Sequence, residues 1–73
     1  MTGQEWIAAF AMRLGVEPPD DETVERLLGI AGVAAHASER TAAPIACFLI
    51  GRAGVEPAEA AAIAATISVD DEE

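Results

Sequence analysis

Cross-links and metal ligands are the first things that this sequence lacks. Cys47 is the only cysteine and His36 the only histidine, which excludes an internal disulfide and a structural zinc site of about four such ligands. A domain of 73 residues hides only about 60% of the surface that its unfolded chain exposes. Its stability is therefore expected to depend on close helix packing or on association with another chain.

Basic charge is also scarce. Four arginines and no lysine stand against thirteen acidic residues, which gives a formal net charge of −9. Such a surface repels polyanions, and this argues against binding to nucleic acid or to an anionic membrane. No apolar run reaches the roughly 20 residues that span a bilayer, and the N-terminus lacks the positive region of a secretory signal. Since a free cysteine also suits a reducing compartment, we expect a cytoplasmic protein.

Strand signals are weak and helix signals are strong. Tyrosine is absent, and no alternation of apolar and polar residues runs for more than a few positions. Seventeen alanines favour helix. We predict an all-α fold, a compact bundle of four short helices with helix 2 central. One domain is expected over residues 1–69, followed by a frayed acidic tail over residues 70–73.

Local signals predict where these helices begin and end. The segment 2–5 has the spacing of a capping box, and Gly15 is placed as the left-handed residue that ends helix 1. Helix 2 is predicted from an aspartate cap at position 20 or 21 to about Glu39. Helix 3 is predicted over about 43–53, and helix 4 from about Pro57, which suits a first helical turn.

The apolar spacing predicts which side of each helix is buried. Helix 2 is apolar nearly all round in its second half, so it is expected at the centre. Helix 1 is expected to bury Trp6, Phe10 and Leu14, and helix 3 to bury Ile45, Phe48 and Leu49. The predicted main face of helix 2, which leaves Ile30 on another side, comprises Val24, Leu27, Leu28, Ala31, Ala34 and Ala35.

Two glycines interrupt helix 2. Gly29 and Gly32 share one flank with His36 and Arg40 on a helical wheel. Each glycine costs roughly 1 kcal/mol relative to alanine, and the usual compensation is the close approach of another helix. A shallow groove floored by the glycines is the alternative interpretation.

His36 and Arg40 form a basic corner at the predicted C-terminal end of helix 2. The connection then leads through Pro44 into helix 3, whose free N–H groups can help two basic side chains to hold a phosphate or carboxylate. The more ordinary interpretation is structural. In that case Arg40 caps carbonyls or pairs with Glu39 or Glu22, and His36 bonds to a loop carbonyl.

No residue pattern points to catalysis. Ser38 lies two positions from His36, so the two side chains point in different directions on a helix. The sequence contains no phosphate loop and no dinucleotide-binding glycine pattern. We therefore expect neither an enzyme nor a cofactor or metal.

The segment 33–51 carries a family resemblance. His36, the pair 39–40, the run 42–44 and the helix residues 48–51 resemble the centre of an uncharacterised family of short actinobacterial proteins. Members also open with a Trp-containing helix and a Leu-Gly turn, but usually have proline where Thr41 stands. The family occurs alone or fused to the nucleotidyltransferase that builds molybdopterin guanine dinucleotide, which implies a role around molybdenum cofactor assembly.

The resemblance and the composition together give a functional expectation. We expect a non-catalytic accessory or protein-interaction domain linked to molybdenum cofactor biosynthesis or molybdoenzyme maturation. Its partner would be a nucleotidyltransferase or a maturation factor. Two alternatives stay open: an anion- or pterin-phosphate-binding module at the basic corner, and a homodimeric structural protein that buries the apolar remainder of helices 2 and 3. The candidate binding residues are His36, Glu39, Arg40, Pro44, Gly29 and Gly32.

Overall fold

Four helices make up the fold. The computed structural model describes residues 1–67, which contain no strand, and the predicted tail over residues 70–73 lies outside them. Interhelical contacts run mainly from the second helix to the third and the fourth. The prediction of an all-α bundle of four short helices with helix 2 central is therefore confirmed. The helices are α1 (Gly3–Leu14), α2 (Asp21–Ala37), α3 (Ala42–Ala53) and α4 (Pro57–Ala64).

Helix α1 is held at both ends by local hydrogen bonds. The backbone N–H of Thr2 donates to Glu5 Oε1 at 2.9 Å, and that of Glu5 donates to Thr2 Oγ1 at 3.1 Å, which confirms the capping box. Gly15 has φ +81°, and the N–H of Val16 donates to the carbonyl of Ala11 at 3.0 Å. This is the Schellman arrangement, so the predicted glycine stop is also confirmed.

Helix α2 begins at an aspartate cap. Asp20 Oδ1 accepts the backbone N–H of Thr23 at 2.8 Å. Hydrogen bonding with the side chain and the backbone of Thr23 lowers the pKa of Asp20 below its ordinary value. Since the folded state favours the ionised cap, this contribution to stability is complete above the unfolded pKa and is lost as the pH falls through the folded pKa.

We predict that Asp20→Asn flattens the acid limb of the stability profile. Asparagine is an equally good cap that does not titrate, so the melting temperature of the variant should fall less than that of wild type below about pH 4. Circular dichroism melts at roughly pH 6 and pH 2.5 measure the difference. Equal falls for the two proteins would contradict the role of the ionised carboxylate.

The end of α2 differs from the prediction. The helix ends at Ala37, two residues before Glu39. The Ser38 hydroxyl donates to the carbonyl of Ala34 at 2.8 Å, the same carbonyl that its backbone N–H reaches at 3.1 Å. With φ −142° and ψ −98° the Ser38 backbone leaves the helix. Serine therefore ends the helix early by competing for a helical acceptor, and Arg40 lies in the connection.

Helix α2 turns a different set of apolar residues inward than expected. Ile30 is 4% exposed, whereas Leu28 is 67% exposed. Ile30 shares a cleft with Ala46 of α3 and Ala64 of α4, which shows that these two helices flank the Ile30 side. The prediction that Leu28 is buried was wrong. On a helix that is apolar nearly all round, periodicity alone does not show which side the neighbouring helices cover.

Helix α3 packs with its small residues inward. Ala42, Ala43, Ala46 and Cys47 are half-buried, while Ile45, Phe48 and Leu49 are 58, 60 and 54% exposed. The predicted burial of the large stripe was therefore wrong. Alanines allow two helix backbones to lie close together, and an alanine side turned towards α2 leaves the bulky side of α3 outward.

Helix α1 lies at the edge of the bundle. Ala11 is its only buried residue, and Trp6 and Phe10 are about half exposed. The two rings lie against each other with centroids 5.0 Å apart. Leu14 is also exposed, so the predicted burial of this stripe was wrong. No helix within residues 1–67 combines the length and the apolar character needed to cross a membrane.

Candidate functional site

The predicted binding residues around the connection from α2 to α3 all lie at the surface. His36 occupies the last turn of α2, Glu39 and Arg40 lie in the connection, and Pro44 lies in the first turn of α3; all four are exposed. Because α2 ends at Ala37, His36 and Arg40 are not neighbours on one helix. The structure brings the four residues to one end of the bundle, but not as a helical pair.

The contacts expected of a structural clamp at the basic corner are not formed among residues 1–67. No hydrogen bond or ion pair within these residues involves the side chain of His36 or Arg40. Glu22, one expected partner of Arg40, pairs instead with Arg26 at 3.3 Å.

The N-terminus of α3 does not offer the expected free N–H groups. The backbone N–H of Ala42 donates to the carbonyl of Glu39 at 2.9 Å, and the backbone N–H of Ala43 donates to the carbonyl of Arg40 at 3.1 Å. Pro44, the next residue, has no N–H to offer. An anion at this corner would therefore rely on the two basic side chains alone, so the backbone part of the predicted anion site is wrong.

The two glycines of α2 face open space. A Cβ atom added at Gly29 or Gly32 would meet no other atom within 4 Å, so no helix crosses closely over this flank. The close-packing interpretation was therefore wrong. Gly29 is exposed and Gly32 half-buried.

We predict that Gly29→Ala and Gly32→Ala each stabilise the fold by about 0.5–1 kcal/mol, because alanine lowers the entropy of the unfolded chain and here meets no steric obstacle. Urea unfolding followed by helical circular dichroism measures the change. Gly15→Ala is the matched control, since φ +81° strains any side chain and this variant should lose stability. A loss of stability in both α2 variants would show that the flank is covered.

The outward side of α3 exposes a stripe of large apolar side chains. We call the residues Ile45, Phe48, Leu49 and Arg52 the α3 outer face; they recur at the spacing of one helical stripe. The guanidinium carbon of Arg52 lies 5.9 Å from the centroid of the Phe48 ring, a cation–π contact. No carboxylate occurs from Arg40 to Val55, so this apolar face has a positive border in an acidic chain.

Two neighbouring apolar clefts lie along α2 and α3, and the second of them adjoins the α3 outer face. One, of about 290 Å³, lies between α2, α3 and the end of α4, and its lining includes Ile30, Ala46 and Ile67. The other, shallower and of about 470 Å³, lies between α2 and α3 and reaches Ile45 and Leu49. Both include Ala34, Ser38 and Ala46, so together with the outer face they make one continuous apolar surface. Of the predicted binding residues only Glu39 lines a cleft.

The Ser38 hydroxyl is engaged with the Ala34 carbonyl and is not paired with His36. In the part of the chain that the structure describes, no three histidine, cysteine or acidic side chains are grouped as metal ligands. Sequence reasoning did not single out the exposed stripe of Ile45, Phe48, Leu49 and Arg52, because it assigned the apolar residues of this stripe to the core. The absence of carboxylates between positions 40 and 55 was the signal that could have pointed to it.

These features define a small all-α domain that exposes an apolar stripe on α3, with Arg52 beside Phe48 at its edge. The chain belongs to the family described as domain of unknown function (DUF6457), whose profile matches residues 1–71. The expected membership of an uncharacterised family of short proteins is thereby confirmed. No curated protein and no solved structure shows significant similarity to the chain.

Proposed function

We propose that this chain is a non-catalytic accessory domain that binds another protein through the α3 outer face and the adjoining clefts. The observation that carries the proposal is the orientation of α3, which turns alanines towards α2 and leaves Ile45, Phe48 and Leu49 more than half exposed. Fully burying such a side chain contributes about 1.5–3 kcal/mol. Contiguous exposed apolar surface of this kind marks protein interfaces.

Charge indicates the chemistry of the partner. Arg40 and Arg52 lie in the carboxylate-free segment that contains the outer face, while the chain as a whole carries a net charge of −9. An acidic partner is attracted at this side and repelled by the other sides, which orients the encounter. The fitting partner therefore presents an apolar patch with carboxylates at its rim.

The family resemblance of the segment 33–51 suggests the identity of that partner. A domain that occurs fused to an enzyme in some proteins is well suited to bind the same enzyme when it is a separate chain. We therefore propose a cytoplasmic partner in molybdenum cofactor assembly in an actinobacterium. This is the nucleotidyltransferase that builds molybdopterin guanine dinucleotide or, failing that, a molybdoenzyme maturation factor.

Calorimetric titration with purified proteins tests this proposal. The full chain is titrated into the purified nucleotidyltransferase, and separately into a purified maturation factor, at several temperatures. We expect saturable binding in the micromolar range or tighter, with the negative heat-capacity change of apolar burial. No binding to either protein at roughly 100 µM would overturn the assignment.

A further inference from the structure

Most large apolar side chains of the described residues lie at the surface. Fourteen of them are exposed, whereas only three residues are buried, and two of those are alanines. The exposed apolar residues occur on α1 as well as on α3, so the apolar surface is not confined to the α3 outer face.

The second apolar surface lies on α1, away from the α3 outer face in sequence and on a different helix. Trp6, Ala9, Phe10 and Arg13 line one shallow depression of about 260 Å³ together with Met1. On a helical wheel Glu5 flanks the same side. We call Glu5, Trp6, Ala9, Phe10 and Arg13 the α1 side face.

The α1 side face is complementary to itself. Glu5 and Arg13 stand four residues before and after Ala9, so two antiparallel copies that cross at Ala9 place Glu5 of each next to Arg13 of the other. A two-fold dimer requires a patch that is complementary to itself in this way. The small side chain of Ala9 allows close approach at the crossing, and Trp6 and Phe10 pack around it.

The α3 outer face lacks this property. Its only charged residue is Arg52, so a second copy paired through the same face would offer no carboxylate to Arg52; Glu39 lies instead in the adjoining cleft. The α1 side face is therefore the better surface for binding a second copy of the chain, and the α3 outer face is the surface for the proposed partner. We infer that the chain forms a two-fold homodimer in which the α1 side faces pair antiparallel across Ala9, leaving the α3 outer face free.

Sedimentation equilibrium of the full chain, combined with tryptophan fluorescence, tests the dimer. Trp6 is the only tryptophan and is about half exposed in the single chain, so its emission reports directly on this interface. We expect the mass to rise with concentration from 7.5 kDa to twice that value, with a parallel blue shift of the emission. A mass that stays at the monomer value at every concentration would overturn the inference.

Two variants locate the interface on α1. Ala9→Glu places a charge at the crossing and should weaken dimerisation at least tenfold, while Ala8→Glu, an equally exposed neighbour on the other side of the helix, should dimerise like wild type. Arg13→Glu should also weaken the dimer, because it puts carboxylates together. Equal dimerisation of Ala9→Glu and wild type would refute the assigned face. Helical circular dichroism verifies that each variant is folded.

The dimer and the proposed partner binding can fail separately. Ala9→Glu is expected to keep full affinity for the partner, because the α3 outer face is untouched. A variant that loses both dimerisation and partner binding would show that the two surfaces are not independent, which contradicts the inference.

Discussion

The Ile30→Ala variant is expected to lose about 2–4 kcal/mol of stability, most of what a domain of this size has. Ile30 is the only large side chain among the three buried residues of the described chain. It lies where α2 meets α3 and α4, so truncation removes apolar contacts shared by three helices and leaves a void between them. Urea unfolding followed at 222 nm gives the change, and a largely unfolded variant at 37 °C fits the same expectation.

Leu28→Ala is the matched control for this prediction. The two residues are two positions apart on one helix and have similar side-chain volumes, but Leu28 is exposed. Its truncation removes little buried surface, so the expected loss is within about 0.5 kcal/mol. Equal losses in the two variants, or a larger loss at Leu28, would mean that α2 is rotated relative to the described packing.

The Phe48→Glu variant is expected to lose partner affinity by at least about thirtyfold while staying folded. An aromatic side chain at the centre of an interface typically contributes 2 kcal/mol or more, and the introduced carboxylate also meets the acidic rim proposed for the partner. In the single chain, Phe48 is exposed and contacts Arg52. The substitution should therefore lower the free energy of unfolding by only about 0.5–1 kcal/mol, the contribution of the lost cation–π contact.

Met12→Glu is the control for this second prediction. Met12 is a large exposed apolar residue on α1, and the substitution adds the same charge to the chain. The variant should bind the nucleotidyltransferase, or the maturation factor if that is the partner, like wild type. If the two variants lose affinity equally, the effect is one of net charge and the α3 outer face is not the binding surface.

The ends of the helices could be predicted because they depend on neighbouring residues. The Thr2–Glu5 box, the left-handed Gly15 and the Asp20 cap each satisfy backbone groups within a few positions, so the sequence specifies them without knowledge of the fold. The end of α2 was missed because Ser38 bonds back to Ala34. Serine is found both inside helices and at their ends, and its identity alone does not decide between them.

The buried faces were harder to predict, since they depend on where other helices lie. In α3 the half-buried side contains Ala43, Ala46 and Ile50, whereas Ile45, Phe48 and Leu49 lie on the exposed side, and both sides are apolar enough to pack. Periodicity identifies the large stripe as the stronger apolar signal and assigns it to the core. In the structure, the side of α3 that contains the alanines faces the other helices. The same ambiguity in α2 led to the prediction that Leu28 is buried, whereas the buried residue is Ile30.

The candidate site was predicted only in its location. The sequence predicted a surface at the connection from α2 to α3, and of its residues Glu39 lines the cleft that adjoins the α3 outer face; the exposure of that face was not predicted. The proposed chemistry of that end changed, because the N–H groups of Ala42 and Ala43 bond to carbonyls of the connection. Such tight turns depend on backbone angles that residue types do not fix.

The outward orientation of α3 is the claim on which the function rests, and a soluble paramagnetic probe tests it most directly. NMR signals of the dilute chain are recorded with increasing amounts of an uncharged nitroxide. We predict strong broadening of the Ile45 and Leu49 methyl groups and the Phe48 ring, with the Ile30 methyl groups nearly unaffected. Protection of Ile45, Phe48 and Leu49 equal to that of Ile30 would place them in the core and contradict the account.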